Sequence, residues 1–297
     1  LKLEIVGTDG GSLSLSESGG TLTSTLKIAG IIQFSSPTVI SEIPYHRMID
    51  GTLELAAGAL LDVDYDTNIA SNIEISGDST IDVADSMTLT YTGDAIDINT
   101  YQLTFEGTGT LENSKAVLLS NSGGLIVFDD DITVKLVEVT AGSSSGKGII
   151  QVKSAGANVT TLNLHANLIL IFDDKQYVFN VEKLVVSKAV TLSTEGSRGE
   201  VHITRLRQDN EDALLTLDNI TAKVQEEIQL DFKDQIVMTD SVNFEVTGGL
   251  TFNVTGTMDF KGHLTANIDL RGGTMCVIDN STIDGNISHL ASSVIYI

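Results

Sequence analysis

Three short segments decide the fold: Leu103-Thr104-Phe105-Glu106-Gly107, Ile126-Val127-Phe128-Asp129-Asp130 and Leu170-Ile171-Phe172-Asp173-Asp174. In each, an aliphatic residue is followed two positions later by phenylalanine, and then by acidic or glycine turn residues. The first two segments begin 23 residues apart, and the second and third begin 44 residues apart, which is twice 22. The spacing indicates a repeat of about 22 residues whose equivalent positions stack on one another.

A second, shorter period lies inside this repeat. Between Leu53 and Ile132, apolar pairs recur in ten steps over 79 residues, and Gly, Asp, Asn, Ser and Thr fill the gaps. Steps of about eight residues are typical of short strands bounded by turns, and three of them make one repeat. The sequence therefore predicts an all-β fold, a right-handed parallel β-helix (β-solenoid) with about three strands per coil.

Tandem antiparallel β-sandwiches are the alternative, because their strands recur at similar intervals. Two-residue hairpin signals are few, and the clear ones are Asp9-Gly10, Asp50-Gly51 and Asp284-Gly285. We expect one elongated domain over residues 1–297, with an irregular excursion near 35–50, which holds both prolines, and a flexible loop at 141–148.

Particular strands and core positions follow from the alternation of apolar residues. Leu61, Val63 and Tyr65 predict one strand, and the run from Ile220 to Phe232 fits a strand with one apolar side better than a helix. The phenylalanines that close such strands are expected to point inward: Phe105, Phe128, Phe172, Phe232 and Phe260.

The composition excludes several classes of partner. Lys and Arg total 17 against 40 Asp and Glu, a formal net charge of -23, which repels nucleic acid phosphates and anionic lipid headgroups. The longest purely aliphatic or aromatic run, Leu168 to Phe172, is far shorter than a membrane helix needs. We therefore predict no nucleic acid partner and no membrane span.

One acidic run resembles the start of a calcium-binding loop. Asp62, Asp64, Asp66 and Asn68 have the Asp-x-Asp-x-Asp-x-Asn spacing. The EF-hand pattern then requires Gly and Glu, where this chain has Thr67 and Ile73. The simpler interpretation is an outward acidic strand face. No cofactor is expected, and calcium at these four residues is the alternative.

No recognisable catalytic motif is present, so we predict that the protein is not an enzyme. The alternative is a carbohydrate-active β-helix enzyme, a polysaccharide lyase or glycosidase of the tailspike type. Its acids would come from the Asp129–Asp131 and Asp173–Asp174 runs, which could stack on adjacent or next-but-one coils. Five Asn-x-Ser/Thr triplets occur, which exceeds chance only slightly.

Several strands open with Gly and a following Thr-Leu or Thr-Met pair, as in Gly51-Thr52-Leu53, Gly109-Thr110-Leu111 and Gly256-Thr257-Met258. With the polar turns, the acidity and the absence of Trp, the chain resembles the β-solenoids of microbial surface proteins: filamentous-haemagglutinin-like adhesins, autotransporter passengers, and sheath or surface-layer subunits. The resemblance implies an extracellular structural protein at a cell surface that forms a filament, sheath, stalk or adhesin shaft. Its implied partners are surface glycans or the surface of a host or neighbouring cell.

Both ends of the sequence alternate like strands without a closing turn or charge. Leu1, Leu3 and Ile5 lie at one end, and Val294, Ile295, Tyr296 and Ile297 lie at the other. A solenoid that lacks caps offers unpaired backbone groups and apolar core residues at its ends. These residues therefore predict a homopolymer, in which copies join head to tail through terminal strands.

Overall fold

A computed structural model describes residues 25–28, 31–34, 38–39, 52–70, 72–120, 123–140, 147–197, 199–209, 213–229, 236–238, 242–246, 251–254, 257–260, 262–265, 267–270, 274–277, 281–289 and 292–296. These residues form an all-β solenoid of stacked parallel strands, without a helix among them. Each coil has three faces, as the short period predicts. The strands in the part described pair in parallel, and the antiparallel contact found there is an isolated bridge between Phe172 and Ser197, so the sandwich alternative is wrong.

Face one is a 13-stranded sheet with one strand from each successive coil. Its strands are β2 (Ile31–Phe34), β5 (Ala59–Val63), β8 (Ser79–Val83), β11 (Gln102–Gly107), β14 (Leu125–Phe128), β16 (Lys147–Val152), β18 (Asn167–Phe172), β20 (Ala189–Gly196), β22 (Leu214–Asp218), β24 (Ile236–Met238), β27 (Thr257–Phe260), β30 (Thr274–Val277) and β33 (Val294–Tyr296).

Face two follows face one in every coil. Its strands are β3 (Thr38–Val39), β6 (Thr67–Ile69), β9 (Thr88–Tyr91), β12 (Thr110–Asn113), β15 (Thr133–Val139), β17 (Ala157–Leu164), β19 (Val178–Val186), β21 (Glu200–Gln208), β23 (Thr221–Gln229), β25 (Val242–Val246), β28 (Gly262–Thr265) and β31 (Thr282–Asp284).

Face three has separate strands only towards the two ends of the described stack. They are β1 (Thr25–Ile28), β4 (Thr52–Leu55), β7 (Asn72–Ile75), β10 (Ile96–Asp97) and β13 (Val117–Leu119), and later β26 (Thr251–Val254), β29 (Asn267–Leu270) and β32 (Ile287–His289).

In the middle coils, faces two and three share one long, bent strand. The strand β15 pairs with β12 through its first residues and with β13 through its last, so the turn at 114–116 has no counterpart in β15. Asn113, which is 1% exposed, lies at the corner where separate strands of faces two and three give way to one shared strand. Its Nδ2 donates to the Leu136 carbonyl (2.7 Å), and its Oδ1 accepts from the Leu136 N–H (3.1 Å). The side-chain amide thus substitutes for backbone pairing at this corner.

The core is built from columns of apolar side chains that stack from coil to coil. On face one the register places these residues over one another, each 2% exposed or less: Leu61, Ile81, Phe105, Phe128, Val152 and Phe172. The Phe128 ring lies 5.6 Å from the Phe105 ring and 5.7 Å from the Phe179 ring, measured between centroids. The 44-residue spacing between Phe128 and Phe172 therefore corresponds to two coils. The inward orientation of Phe105, Phe128 and Phe172 is confirmed. Phe232 and the side chain of Phe260 lie outside the described part.

Glycine is required at one corner for two different reasons. Gly107 has a φ of 81°, which favours glycine, whereas at Gly109 the neighbouring backbone leaves no room for a side chain. A Cβ on Gly109 would lie 2.5 Å from the Ala84 carbonyl oxygen, and the Gly109 N–H donates to the Val83 carbonyl at 3.0 Å. The Gly-Thr-Leu opening at this corner thus reflects close approach between coils.

Several finer expectations need correction. Tyr65 is 43% exposed, because β5 ends at Val63 and Tyr65 lies in the following turn. The strand predicted near Ile220 is present as β23, but a bulge opposite the segment between Ile203 and Arg205 breaks its alternation, and Glu226 is exposed. The strand β16 begins at Lys147, inside the segment expected as a loop at 141–148, and residues 141–146 lie outside the described residues. Within the range near 35–50 the structure describes Thr38–Val39, which form β3 and pair with β6, and the rest of the predicted excursion lies outside the described residues.

Candidate functional site

Face one carries an acidic column on its outer surface. Asp62, Asp82 and Glu106 lie opposite one another on β5, β8 and β11, so three carboxylates stack at the strand spacing of about 4.8 Å. Burial raises the pKa of Asp62, and the Asp64 and Asp82 carboxylates raise it further. Burial, then Asp130 and Asp64, raise the pKa of Asp82. Like charges are therefore held together here at a cost in stability.

Glu106 shows the same effect at the next coil. Burial raises the pKa of Glu106, as do Asp82, Asp129 and Asp130, while Lys153 opposes the shift. The acidic column is part of a wider asymmetry: residues 52–134 contain one Lys and no Arg against 15 Asp and Glu, whereas residues 135–229 contain 10 Lys and Arg against 12 acids. Negative charge is thus concentrated on the earlier coils.

The four residues of the calcium prediction have different surroundings. Asp62 belongs to the acidic column, Asp66 Oδ1 accepts a hydrogen bond from the Thr88 N–H (2.9 Å), and Asn68 lies in β6 beside Thr90. Among the described residues, no group of three or more His, Cys, Asp or Glu side chains is arranged to hold a metal ion. Calcium binding at Asp62, Asp64, Asp66 and Asn68 stays a prediction.

Aspartates in the turns connect neighbouring coils. Each accepts a hydrogen bond from a backbone N–H of the next coil, and the acceptor–donor pairs are Asp66 with Thr88 (2.9 Å), Asp78 with Gln102 (2.8 Å) and Asp131 with Gly156 (2.8 Å). The frequency of Asp in the turns therefore has a structural cause, since an exposed carboxylate satisfies an N–H that would otherwise lack a partner.

The acids considered for catalysis also connect coils. Because Phe128, Val152 and Phe172 share one column, Asp129 and Asp173 lie two coils apart with Lys153 between them. The Lys153 Nζ lies 3.4 Å from Asp129 Oδ2, and the Gln151 Nε2 donates to Asp173 Oδ1 at 2.6 Å. Stacking on next-but-one coils is thus confirmed, and both carboxylates have protein partners.

The outer surface of face two carries a groove of about 560 Å³, here called the polar groove. Its first column is formed by residues in register on four successive coils: Thr133, Asn158, Asn180 and His202. Its second column, one residue pair further along the same strands, is formed by Thr160, Glu182 and Thr204. Val159 and Val181, whose side chains are buried, also line it, and every other lining residue contributes a hydroxyl, amide, carboxylate or imidazole group.

A charged network closes one end of the polar groove. His202 Nε2 lies 2.9 Å from Glu200 Oε2, and Lys223, directly beyond His202 in register, places its Nζ 3.0 Å from the same oxygen and 3.8 Å from Glu245 Oε2. The hydrogen bond from His202, followed by that from Lys223, lowers the pKa of Glu200 despite its partial burial. The Glu200 carboxylate in turn raises the pKa of Lys223. Opposite charges here stabilise the stack, in contrast to the acidic column.

The sequence analysis did not identify the polar groove. The signal was present in the 22-residue period. Asn158, Asn180 and His202 are each 22 residues apart, and Lys223 follows 21 residues later. Polar residues at that spacing stack as the phenylalanines do.

The last described coil has an open apolar end, here called the end face. Ile283, Ile287 and Ile295 continue the inward columns of the three faces, above Leu264, Ile268 and Met275, which are 1% exposed or less. Ile287 is 39% exposed and Ile295 is 37% exposed, and Ile283 is partly buried. These side chains are therefore the outermost members of the apolar columns among the described residues.

The strand β33 forms the edge of face one at this end. Val294 and Tyr296 are 41% and 61% exposed, so three of the residues predicted for assembly, Val294, Ile295 and Tyr296, are accessible. Ile297, with Leu1, Leu3 and Ile5, lies outside the described residues. An unpaired strand edge with apolar side chains is a template for further strand pairing.

No protein-family model, curated protein or solved structure matches this chain. Within the described ranges, no helix has the length and apolar character needed to cross a membrane.

Proposed function

We propose that the protein is an extracellular structural protein of a microbial cell surface, a shaft that extends by coil-on-coil assembly with further copies of itself. The observation that carries the proposal is the end face, where the described apolar columns of all three faces end in isoleucines, two of them exposed, beside the edge strand β33. Stacking one more coil there buries the three isoleucines and pairs the strand edge. Because the contact joins different surfaces of two copies, it generates a filament and not a closed dimer.

The shape of the described stack fits this role. Thirteen strands on face one have twelve spacings of about 4.8 Å, which gives a body about 58 Å long. A solenoid gains length in proportion to its coils, and each coil contacts only its neighbours, so it serves extension well. The chain's resemblance to microbial surface solenoids agrees with an extracellular position. Digestion of intact producing cells by an added protease tests that position, since protection of the protein would contradict it.

Assembly can be tested directly on the purified chain. The net charge of -23 opposes association, so filaments are expected to form more readily as salt is added. Replacing Ile287 and Ile295 together by Asp should abolish filaments seen by electron microscopy while leaving small-angle scattering of the monomer unchanged. Thr216→Asp, which adds one negative charge to the outer surface of β22 where the double variant adds two at the end face, is the control. A wild-type chain that stays monomeric at high salt, or an Ile287/Ile295 variant that still assembles, would refute the proposal.

A further inference from the structure

We infer that the polar groove on face two binds a neutral oligosaccharide chain that lies along the solenoid axis. The site would hold three or four sugar units against the columns headed by Thr133 and Thr160. It does not depend on filament formation, since every residue that forms it belongs to one copy.

The first argument is that the polar groups of the groove are not used within the protein. In the described part of the chain, the side chains of Asn180, Thr160 and Thr204 form no hydrogen bond with protein atoms. Asn158 donates through Nδ2 to the Gly156 carbonyl (2.6 Å), which fixes the amide and directs its Oδ1 away from that bond. Amides and hydroxyls that are half-buried and lack protein partners are well suited to bind the hydroxyl groups of a sugar.

The second argument is the spacing of these groups. Stacked strands present equivalent side chains every 4.8 Å or so along the axis, which is close to the length of one pyranose ring in an extended chain. Asn158, Asn180 and His202 occupy three consecutive rungs, and Thr160, Glu182 and Thr204 occupy the same rungs one column away. Each sugar unit would therefore meet a pair of polar side chains.

The third argument is charge. A protein with a net charge of -23 repels anionic polymers, and the Glu182 carboxylate in the groove lies 3.8 Å from Arg205 Nη1, so this pair supplies no net positive charge. The cationic Lys223 at the closed end is already bound to Glu200 and Glu245, so it offers little attraction to an anion. A neutral chain is the polymer whose chemistry fits hydroxyls, amides and one carboxylate.

A single groove of this kind should bind weakly. It has no aromatic wall on which a sugar ring can stack, so a dissociation constant on the order of 1 mM is expected for one chain. Where many copies are held together on a surface, the same groove repeats, and multivalent binding compensates for the weak single site.

The test uses ¹⁵N-labelled full-length protein titrated with cellohexaose, mannohexaose and chitohexaose, with oligogalacturonate as an anionic probe. At least one neutral hexasaccharide should shift the side-chain amide signals of Asn158 and Asn180. The double variant Asn180→Leu and Thr204→Val, which keeps side-chain volume, should weaken that binding by about tenfold or more, which is a large effect for two side chains. The spectrum of the variant shows at the same time whether it is folded.

The matched control is Thr216→Val, which removes a hydroxyl from the outer surface of face one and should leave binding unchanged. The inference is overturned if no neutral hexasaccharide shifts these signals at about 10 mM, a concentration well above the expected dissociation constant. It is also overturned if the double variant binds like the wild type, or if oligogalacturonate binds equally well. Failure of filament assembly would leave each of these results unaffected.

Discussion

Replacement of Phe128 by Ala is the sharpest test of the stacked core. Phe128 is fully buried in β14, between Phe105 of the preceding coil and Phe179 of face two, with ring centroids 5.6 and 5.7 Å away. Phe→Ala changes in a core cost about 3–5 kcal/mol, from lost burial and the remaining cavity. Two tilted ring contacts are lost as well, so the upper end of that range, about 5 kcal/mol, is expected.

The assay is equilibrium unfolding in urea, followed by circular dichroism. Phe128→Leu keeps much of the volume and should cost about 1.5 kcal/mol or less. Thr216→Val, on the surface, should change the unfolding free energy by less than about 0.5 kcal/mol. Hydrogen exchange should locate the damage in the coils of β11, β14 and β16, because a solenoid coil contacts only its neighbours. A loss below about 1 kcal/mol for Phe128→Ala would refute the inward column.

Three other changes test the outer surface and a corner. Asp82→Asn should raise the melting temperature at pH 7, because burial and nearby carboxylates raise the pKa of Asp82 in the folded protein. Protonation of Asp82 stabilises the folded protein; this stabilisation is complete below about pH 4 and is lost as the pH rises through the raised pKa. Asp82→Asn should therefore raise the melting temperature less at pH 3.5 than at pH 7, and an equal increase at both pH values would contradict the explanation. Replacing Asp62, Asp64 and Asp66 together by Asn should leave the melting temperature unchanged or slightly higher. If calcium raises the melting temperature of the wild type and this triple change abolishes that rise, the result would instead establish a metal site. Gly109→Ala should cost about 1–3 kcal/mol in chemical unfolding, because its Cβ would meet the Ala84 carbonyl oxygen at 2.5 Å. Gly156→Ala is the control, since its Cβ would meet only ordinary contacts at 3.5 Å, and equal losses would contradict the clash.

The repeat could be predicted because burial requires apolar side chains at equivalent positions of each coil. Phe105 and Phe128 are 23 residues apart and pair directly, so the phenylalanine pattern alone established the register of β11 and β14. Period-two alternation identified individual strands for the same reason, as successive side chains point to opposite sides. What failed was the extent of strands: alternation continues through Tyr65, although the chain has already turned after Val63.

Two further features left little trace in the sequence. The bulge in β23 inserts a residue between Val224 and Glu227, and the apolar pattern there reads equally well without it. The fusion of two faces into β15 depends on Asn113, whose side chain completes hydrogen bonds of the next coil, and a single Asn carries no such information by itself. The polar groove was missed because hydrophobic periodicity ignores polar residues, even when they share its spacing.

The bent strands of the middle coils have a mechanical consequence. From β15 to β23 the strands that cover faces two and three are seven to nine residues long, whereas those of face two are three or four residues long from β6 to β12 and three to five residues long from β25 to β31. Long strands must break many hydrogen bonds together when a coil peels away, and short strands break few. A shaft of this design, pulled along its axis, would unravel from the short-stranded coils on either side and keep a resistant middle section until last.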